Sequence, residues 1–375
     1  EISLGLVGSE MCIRDRNTCV YSDRIEFNYN SLKGLIDPEI LENLAAMQKS
    51  VLYEAAGSEE FWNSKVDIAL PQRDKEMISQ ANGTDQNLGE ETMPMLLEEA
   101  FREYSEEVYL HTDGRDYTYH EIRKMVDALG ARLSEMGVTA GDKVAVHIGK
   151  GLEQMVAALT CAYMGYVYTP LEYDYSAPLV ESAMNWIQCN YLLVDSTAAD
   201  DFAKAEMKFL VVDEKLLCKE TKVMEPAHVN REDLAAIIHT SGTTGRPKAV
   251  MIRQESLVNA LLYTNERFEV TKADSAFGVT NPSHDMSMYD IFGIAICGAS
   301  VTVPQEMSAK DPEMWLKLMS QHKVTIWNSV PVIQEMLMEA VTEETASLIG
   351  NLRLVMLGGD YICLLYTSPS PRDRG

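Results

Sequence analysis

Residues 239–250, HTSGTTGRPKAV, gather hydroxyl, glycine and basic side chains into one short stretch. Glycines let backbone N–H groups approach a ligand closely, and hydroxyl groups add hydrogen-bond donors. The lysine near the end of the stretch adds a positive charge. This combination suits a polyphosphate, although Ser, Thr and Gly are also common in flexible polar turns.

The spacing of this stretch differs from the widespread phosphate-loop pattern G-x-x-x-x-G-K-[ST]. Gly245 is followed by Arg-Pro-Lys, and Ala249 stands where that pattern requires Ser or Thr. The apolar run 234–238 precedes the stretch, and Lys248–Ile252 has the character of a second strand. The pattern therefore predicts a hairpin tip between two strands.

Residues Thr240–Lys248 resemble, position for position, the phosphate loop of the adenylate-forming enzymes. This superfamily includes acyl-CoA synthetases, luciferases and the adenylation domains of nonribosomal peptide synthetases. The resemblance implies that the loop cradles the phosphates of ATP, with Thr243, Thr244 and Lys248 as the catalytic residues. The implied ATP-binding residues of the loop are Thr240, Ser241, Gly242, Thr243, Thr244, Gly245 and Lys248.

Further motifs similar to those of the family follow in order across residues 92–361. Tyr117–Glu121 and Tyr163–Leu171 resemble the first two core motifs, and we interpret both as structural. His284-Asp285-Met286-Ser287 stands in place of F-D-x-S, and Gly358-Gly359-Asp360 in place of G-G-E. The resemblance implies that Gly358 and Gly359 lie beside the adenine of ATP.

The substrate implied by the resemblance is an amino acid. A carboxylate at Asp285 suits an α-ammonium group and would repel a fatty acid. The family's pocket positions correspond to Asp285, Met286, Tyr289, Asn328, Val355 and Leu357. No second charge is present, so we expect a small or medium, partly apolar side chain. The series Asp-Met-Tyr-Asn resembles the Asp-Leu-Tyr-Asn of cysteine-activating domains, which favours cysteine, followed by serine or threonine.

The implied reaction joins the amino acid carboxylate to the α-phosphate of ATP, and the aminoacyl group then passes to phosphopantetheine on a peptidyl carrier domain. In the family, the Mg²⁺ ligand and the catalytic lysine of the C-terminal lid would lie beyond residue 361, so we expect the chain itself to be inactive. Two alternatives remain open: a free-standing acyl- or aryl-CoA synthetase, and a degenerate module that binds neighbouring domains without catalysis.

Both ends of the sequence are interpreted as sequencing-adapter artefact. The run Cys363–Asp373, back-translated and read as its reverse complement, yields Leu6–Asp15. Two ends of one gene are not expected to be reverse complements, so residues 1–16 and 363–375 are set aside. The remainder is interpreted as part of a longer protein.

Residues 17–85 are interpreted as the tail of a condensation or heterocyclisation domain with a linker, although an unrelated extension fits as well. A strand is predicted over Arg24–Tyr29, a helix over Pro38–Ala56, and a polar linker over Gln80–Glu91. Residues 86–362 are interpreted as the adenylation core. An adjacent condensation or heterocyclisation domain is therefore an expected partner.

Within residues 86–362, strand and helix patterns alternate, which predicts α/β architecture with doubly wound sheets and helices on both faces. By resemblance, this is the large N-terminal subdomain of the adenylate-forming fold. Thr118–Glu121 forms a capping-box pattern that predicts the start of a helix. The predicted strands are Lys143–Ile148, Tyr191–Asp195, Phe209–Asp213, Ser300–Pro304, Thr325–Ser329 and Leu352–Leu357.

Composition excludes several classes of function. The 375 residues carry a net charge of −25, which disfavours nucleic acid and anionic membranes as partners. No apolar run is long enough to span a bilayer. The cysteines lack C-x-x-C spacing, so we expect reduced core thiols in a cytoplasmic protein, without disulfides, and no metal site is predicted.

Overall fold

A computed structural model describes residues 14–23, 25–31, 37–57, 59–63, 70–84, 89–203, 208–240, 248–305 and 310–360. They fall into two compact units, the first ending at residue 87 and the second beginning at residue 88.

The strands are Arg14–Val20 (β1), Ile25–Ser31 (β2), Val108–His111 (β3), Asp116–Thr118 (β4), Lys143–His147 (β5), Val167–Pro170 (β6), Tyr191–Val194 (β7), Phe209–Val211 (β8), Leu234–Thr240 (β9), Lys248–Arg253 (β10), Ser275–Phe277 (β11), Ser300–Thr302 (β12), Ile326–Ser329 (β13) and Leu354–Leu357 (β14). The α-helices are Pro38–Gly57 (α1), Gln72–Asn82 (α2), Met93–Glu103 (α3), Tyr119–Glu135 (α4), Leu152–Tyr163 (α5), Ala177–Ile187 (α6), Ala199–Phe202 (α7), Glu214–Leu217 (α8), Gln254–Arg267 (α9), Ile294–Ile296 (α10), Pro312–Gln321 (α11) and Pro331–Ala340 (α12). A π-helical turn covers Tyr289–Gly293, and 3₁₀ turns cover Glu60–Asn63 and Ala346–Ile349.

The first unit contains an antiparallel β1–β2 ladder and the helices α1 and α2. The strand predicted over Arg24–Tyr29 corresponds to β2, and the helix predicted from Pro38 corresponds to α1. The predicted linker begins later than expected, because α2 continues through Asn82.

The second unit contains two sheets of mixed direction. Among the described residues, one sheet has the strand order β10-β9-β6-β5-β7-β8 and the other the order β14-β13-β11-β12-β3-β4. Neighbouring strands are parallel except for the pairs β9–β10 and β3–β4. The parallel pairs are joined by crossovers that contain helices, as the alternating sequence pattern predicts.

The central strands of both sheets are buried on two faces, which explains their nearly continuous apolar sequences, whereas the edge strand β10 is largely exposed. In β5, Val144 and Val146 join one hydrophobic cluster, whereas Ala145 joins another. In β13, Ile326 and Trp327 likewise enter different clusters. The largest cluster takes residues from both sheets and therefore lies between them, with further helices on the outer faces. The predicted α/β architecture is confirmed.

The start of α4 illustrates how local sequence fixes an element. The Thr118 hydroxyl accepts a hydrogen bond from the Glu121 backbone N–H at 3.2 Å, and the Glu121 carboxylate accepts one from the Thr118 N–H at 2.9 Å. Two donors at the helix start are thereby satisfied, as the predicted capping box requires.

The five cysteines in the described residues are free thiols, as predicted. Their location was only partly predicted, because Cys161 and Cys189 are buried whereas Cys19 and Cys218 are exposed. In the described part of the chain, no helix has the length and apolar character needed to cross a membrane.

Candidate functional site

The hairpin predicted around the phosphate-loop motif is present. Thr240 ends β9, Lys248 begins β10, and the two residues are partners in the antiparallel ladder. Lys248 is exposed. The connecting residues Ser241, Gly242, Thr243, Thr244 and Gly245 lie outside the described residues, so their role in binding phosphate stays a prediction.

Three sequence motifs meet at the carboxyl edge of the second sheet. The strands β11, β13 and β14 are parallel, so the segments that follow them leave from the same edge. The Asn328 side-chain amide donates a hydrogen bond to the Met286 carbonyl at 3.0 Å. The Gly358 N–H donates to the Ser329 carbonyl at 3.4 Å. Ligands of open α/β sheets bind at this edge, so the geometry supports a binding site here.

The glycine turn after β14 requires glycine at its second position. Gly359 has φ +81°, in the left-handed region that other residues enter at a cost of about 1–2 kcal/mol. A Cβ at Gly358, in contrast, would make an ordinary contact with the Met286 sulfur at 3.5 Å. The turn therefore lies directly beside the Asp285-Met286 segment.

Asp285 is exposed at this edge. One of its carboxylate oxygens accepts a hydrogen bond from the Met286 N–H at 2.8 Å, which orients the carboxylate. The exposure leaves the charged group accessible to a cationic ligand.

Asn328 is buried and belongs to a polar network beneath this edge. Its amide nitrogen donates to the Met286 carbonyl and also to an Asp290 carboxylate oxygen at 2.9 Å. An amide nitrogen carries two hydrogens, so its donor capacity is used and the side-chain carbonyl oxygen remains as an acceptor. Only this oxygen of the Asn328 side chain could therefore accept a hydrogen bond from a substrate.

Asp290 is the buried carboxyl of this network. Burial raises its pKa to about 8, against the opposing effects of the Asn328 hydrogen bond and the Lys150 charge. Its second carboxylate oxygen has no hydrogen-bond partner among the described residues. The group is therefore protonated near neutral pH, which reduces the cost of burying it.

The other predicted wall residues are placed differently. Tyr289 is buried, and its hydroxyl donates to the Asn265 side chain at 2.9 Å. Val355 is the ladder partner of Trp327, whereas Asn328 is the partner of Met356. Ladder partners present their side chains to the same face and successive residues alternate, so Asn328 and Val355 point to opposite faces of the sheet.

Leu357 lies on the same strand face as Val355 and packs against the cluster that contains Trp327. The structure therefore brings Asp285, Met286, Tyr289 and Asn328 together, since the Met286 carbonyl accepts hydrogen bonds from both the Tyr289 N–H at 3.2 Å and the Asn328 amide at 3.0 Å. The six residues as one pocket wall remain a prediction.

A cleft of about 260 Å³ opens at the carboxyl ends of β5, β6, β11 and β13. Its lining includes Lys150, Tyr173, Asn281, His284, Lys310 and Val330. Two lysines, Lys150 and Lys310, give this lining a cationic character that contrasts with the acidic chain. The half-exposed His284 places its Nε2 at 3.8 Å from a Glu172 carboxylate oxygen.

Two charged residues were missed by the sequence analysis: Lys150, which lines the cleft, and Glu172, which contacts the lining residues Asn281 and His284. The Lys150 ammonium donates to the Gly278 carbonyl at 3.2 Å and also to the Val279 carbonyl. Glu172 accepts hydrogen bonds from the Asn281 amide at 2.6 Å and the Ser283 hydroxyl at 2.5 Å. Both residues closely follow a parallel strand, and that position was the signal that could have identified them.

Comparison with known proteins matches these features to one family. A family model described as AMP-binding enzyme matches residues 97–363. Among curated proteins, the chain is similar to the anguibactin system regulator of Vibrio anguillarum, with 32% identity over 246 residues, covering 66% of this chain and 23% of that protein. It is also similar to pyochelin synthetase PchF of Pseudomonas aeruginosa, with 30% identity, covering 68% of this chain and 14% of that protein.

The fold is similar to that of a solved nonribosomal peptide synthetase, FmoA3, in its AMPPNP-bound form. The TM-score is 0.78 at 24% identity, and the match covers 94% of this chain and 38% of that one. The chain thus spans less than a quarter of the two curated relatives and under half of this structural neighbour.

Proposed function

The chain belongs to the family of AMP-binding enzymes, and on that premise we propose that it is the N-terminal part of a peptide-synthetase adenylation domain. In this proposal the parent protein activates an amino acid with ATP and releases pyrophosphate. The observation that carries the proposal is the meeting of the Asp285 segment, Asn328 and the Gly358-Gly359 turn at one sheet edge. The similarity to two large synthetase-system proteins supports it.

The reaction requires positioning and charge neutralisation more than covalent help from the protein. A carboxylate oxygen of the amino acid attacks the α-phosphorus of ATP, an oxygen–phosphorus bond forms, and the bond to pyrophosphate breaks with its electron pair. In the proposal, backbone N–H groups and hydroxyls of residues 240–245 hold the departing phosphates. Thr243 and Thr244 act there as donors, and Lys248 steadies the loop or the phosphate end.

Asp285 orients the amino acid in this proposal. Its exposed carboxylate, already held by the Met286 N–H, pairs with the substrate α-ammonium group. An unpaired charge in a closed site is costly, so the carboxylate selects for amino acids and against simple acyl acids. Asp285 thereby favours this function over that of an acyl- or aryl-CoA synthetase.

The preferred amino acid is proposed to be cysteine, followed by serine and threonine. The donors of Asn328 are used by Met286 and Asp290, so only its carbonyl oxygen could meet a substrate side chain. A thiol or hydroxyl can donate to that oxygen, whereas a purely apolar side chain cannot. This reasoning agrees with the resemblance of the Asp-Met-Tyr-Asn series to cysteine-activating domains.

The remaining assignments are also proposals. ATP is the co-substrate, and phosphopantetheine on a peptidyl carrier domain accepts the aminoacyl group. A condensation or heterocyclisation domain precedes residue 86. Mg²⁺ accompanies the ATP phosphates, and its protein ligand is proposed to lie beyond residue 361.

ATP–pyrophosphate exchange by the intact parent protein tests the proposed function. Amino acids should support exchange, whereas fatty, aryl and des-amino acids should not. Preference for an acid without an amino group would instead identify an acyl- or aryl-CoA synthetase. Absence of exchange with all substrates, in a protein that is folded and binds its carrier domain, would identify the non-catalytic module.

A further inference from the structure

A cluster of two histidines and one aspartate lies outside the site described above. His111 ends β3 and Asp116 begins β4, and the two residues are ladder partners across a tight hairpin. His322 follows directly after α11 and caps its C-terminus. Residues from distant parts of the sequence thus converge at the outer edge of the second sheet.

The three side chains are close enough to share one ligand. Each offers a ligand atom, and these atoms all lie within 4.8 Å of one another. His111 Nδ1 lies 2.8 Å from an Asp116 carboxylate oxygen. The His111 and His322 rings are separated by 4.2 Å between centroids and inclined by 31°.

One ring nitrogen in the cluster lacks an explanation within the protein. His322 Nε2 is buried and has no hydrogen-bond partner among the described residues. A buried polar atom without a partner costs about 1–3 kcal/mol. The His111–Asp116 contact accounts for two members of the cluster, but it leaves this nitrogen unpaired.

We propose that His111, Asp116 and His322 form a binding site for a divalent transition-metal ion, with Zn²⁺ as the best-matched ion. Imidazole nitrogen and carboxylate oxygen are its usual ligands besides thiolate, and solvent would complete four-coordination. In a tetrahedral zinc site with bonds of about 2.1 Å, ligand atoms lie roughly 3.4 Å apart. To reach that spacing, ligand atoms that lie up to 4.8 Å apart would have to close, and the His111 Nδ1–Asp116 contact of 2.8 Å would have to open.

A neutral imidazole is the form of histidine that binds a metal ion. A bound ion would tie the β3–β4 hairpin to the end of α11 and stabilise the folded unit by mass action.

Metal titration of the untagged 375-residue chain tests this proposal. After chelator treatment and buffer exchange, Zn²⁺ binding is measured by calorimetry, and Co²⁺ binding by visible absorption. We expect one ion per chain and a melting temperature raised by a few degrees at saturating Zn²⁺. His322→Ala and Asp116→Asn should each weaken binding at least tenfold, because each removes a ligand.

His120→Ala is the matched control, since His120 is exposed on α4 and is not part of the cluster. Its metal affinity should equal that of the unaltered chain. Asp116→Asn keeps the shape of an exposed side chain, so it remains informative if His322→Ala unfolds. The proposal is overturned if the unaltered chain binds no ion, or if the cluster variants bind as tightly as His120→Ala. No residue of this cluster belongs to the proposed adenylation site, so either proposal can fail alone.

Discussion

Asp285 and Asp290 lie on the same short segment, yet their carboxyl groups have opposite environments. Asp285 is exposed and oriented by one backbone N–H, so a substrate can reach its carboxylate. Asp290 is buried, and its pKa is raised to about 8, so it serves as a neutral hydrogen-bonding group for Asn328. An aspartate is therefore suited to binding the substrate at position 285 and to holding the Asn328 side chain at position 290.

Replacement of Asp285 by alanine tests its proposed recognition role. In the intact parent protein, Asp285→Ala should lower kcat/KM for amino acid exchange at least tenfold, since a charge-assisted hydrogen bond is worth about 1.5–3 kcal/mol. The KM for ATP should stay unchanged. Both constants are measured by pyrophosphate exchange, with the concentration of either the amino acid or ATP varied. Asp200→Ala, which removes an exposed helix carboxylate elsewhere, should have no effect. If the two variants have the same kcat/KM for the amino acid, Asp285 does not contact the substrate.

Replacement of Asp290 by asparagine should change how stability depends on pH. The folded pKa of about 8 lies above the ordinary value of 3.8, so the folded state holds the proton more tightly. The stabilisation of the folded state by this bound proton is fully present below pH 3.8 and is lost as pH rises toward 8. Each unit of that rise costs about 1.4 kcal/mol at most. Asp290→Asn should therefore gain stability relative to the unaltered chain between pH 5 and pH 8.

Urea unfolding at several pH values between about 5 and 8 measures this difference. Asp274→Asn is the control with the opposite sign. Burial opposes ionisation of Asp274, but hydrogen bonds from Arg353 and its neighbours lower the Asp274 pKa overall. Loss of its charge should therefore destabilise the fold at neutral pH. A stability difference between Asp290→Asn and the unaltered chain that does not change with pH would show that Asp290 is ionised throughout.

At the scale of elements, periodicity and caps predicted most of the second unit. Strands such as β5 and β7 were predicted because they are mostly apolar runs, and α4 because its capping box is local. Contacts between loops were not predictable, since they depend on the strand order. The hydrogen bonds from Lys150 to Gly278 and from Asn281 to Glu172 are of this kind.

Side-chain direction at the pocket was also beyond the sequence motifs. Spacing from the F-D-x-S and G-G-E positions placed Asn328 and Val355 on one wall, but the register of β13 and β14 turns them to opposite faces. Spacing along the chain does not specify register between strands. A shift by one residue exchanges every side chain between the two faces.

The β9–β10 hairpin is the element whose function depends on its loop. Combined Thr243→Ala and Thr244→Ala substitution should lower pyrophosphate exchange by roughly tenfold or more, since each lost donor to a charged phosphate is worth about 1.5–3 kcal/mol. The ladder from Thr240 to Lys248 should persist, so the melting temperature should not change. The equivalent double substitution of Thr342 and Thr345, an exposed hydroxyl pair elsewhere, provides the control. Unchanged exchange in the first variant would show that the two threonines have no role in binding phosphate.

At the scale of the whole molecule, the chain combines two compact units and an excess of acidic residues. The chain has a net charge of −25. The positive charges of Lys150 and Lys310 at the cleft are therefore opposite in sign to the charge of the chain as a whole. The match to FmoA3 covers 94% of the chain and so includes residues from both units. The similarity in fold is therefore not confined to the second unit.

Amino acid selectivity is a property of the complete protein and gives the last prediction. Exchange measured with all twenty amino acids should be highest with cysteine, with serine and threonine next. The reason is that the free acceptor at Asn328 favours a side chain that donates a hydrogen bond, while the absence of a second charge penalises acidic and basic side chains by several kcal/mol.

Asn328→Leu should remove the acceptor and shift the preference from serine toward apolar residues of similar size. Asn265→Leu, which breaks the hydrogen bonds to the Tyr289 hydroxyl and the Gly293 carbonyl, should leave that preference unchanged. A clear preference for a charged or bulky aromatic amino acid would contradict the prediction, as would an Asn328→Leu variant with unaltered selectivity.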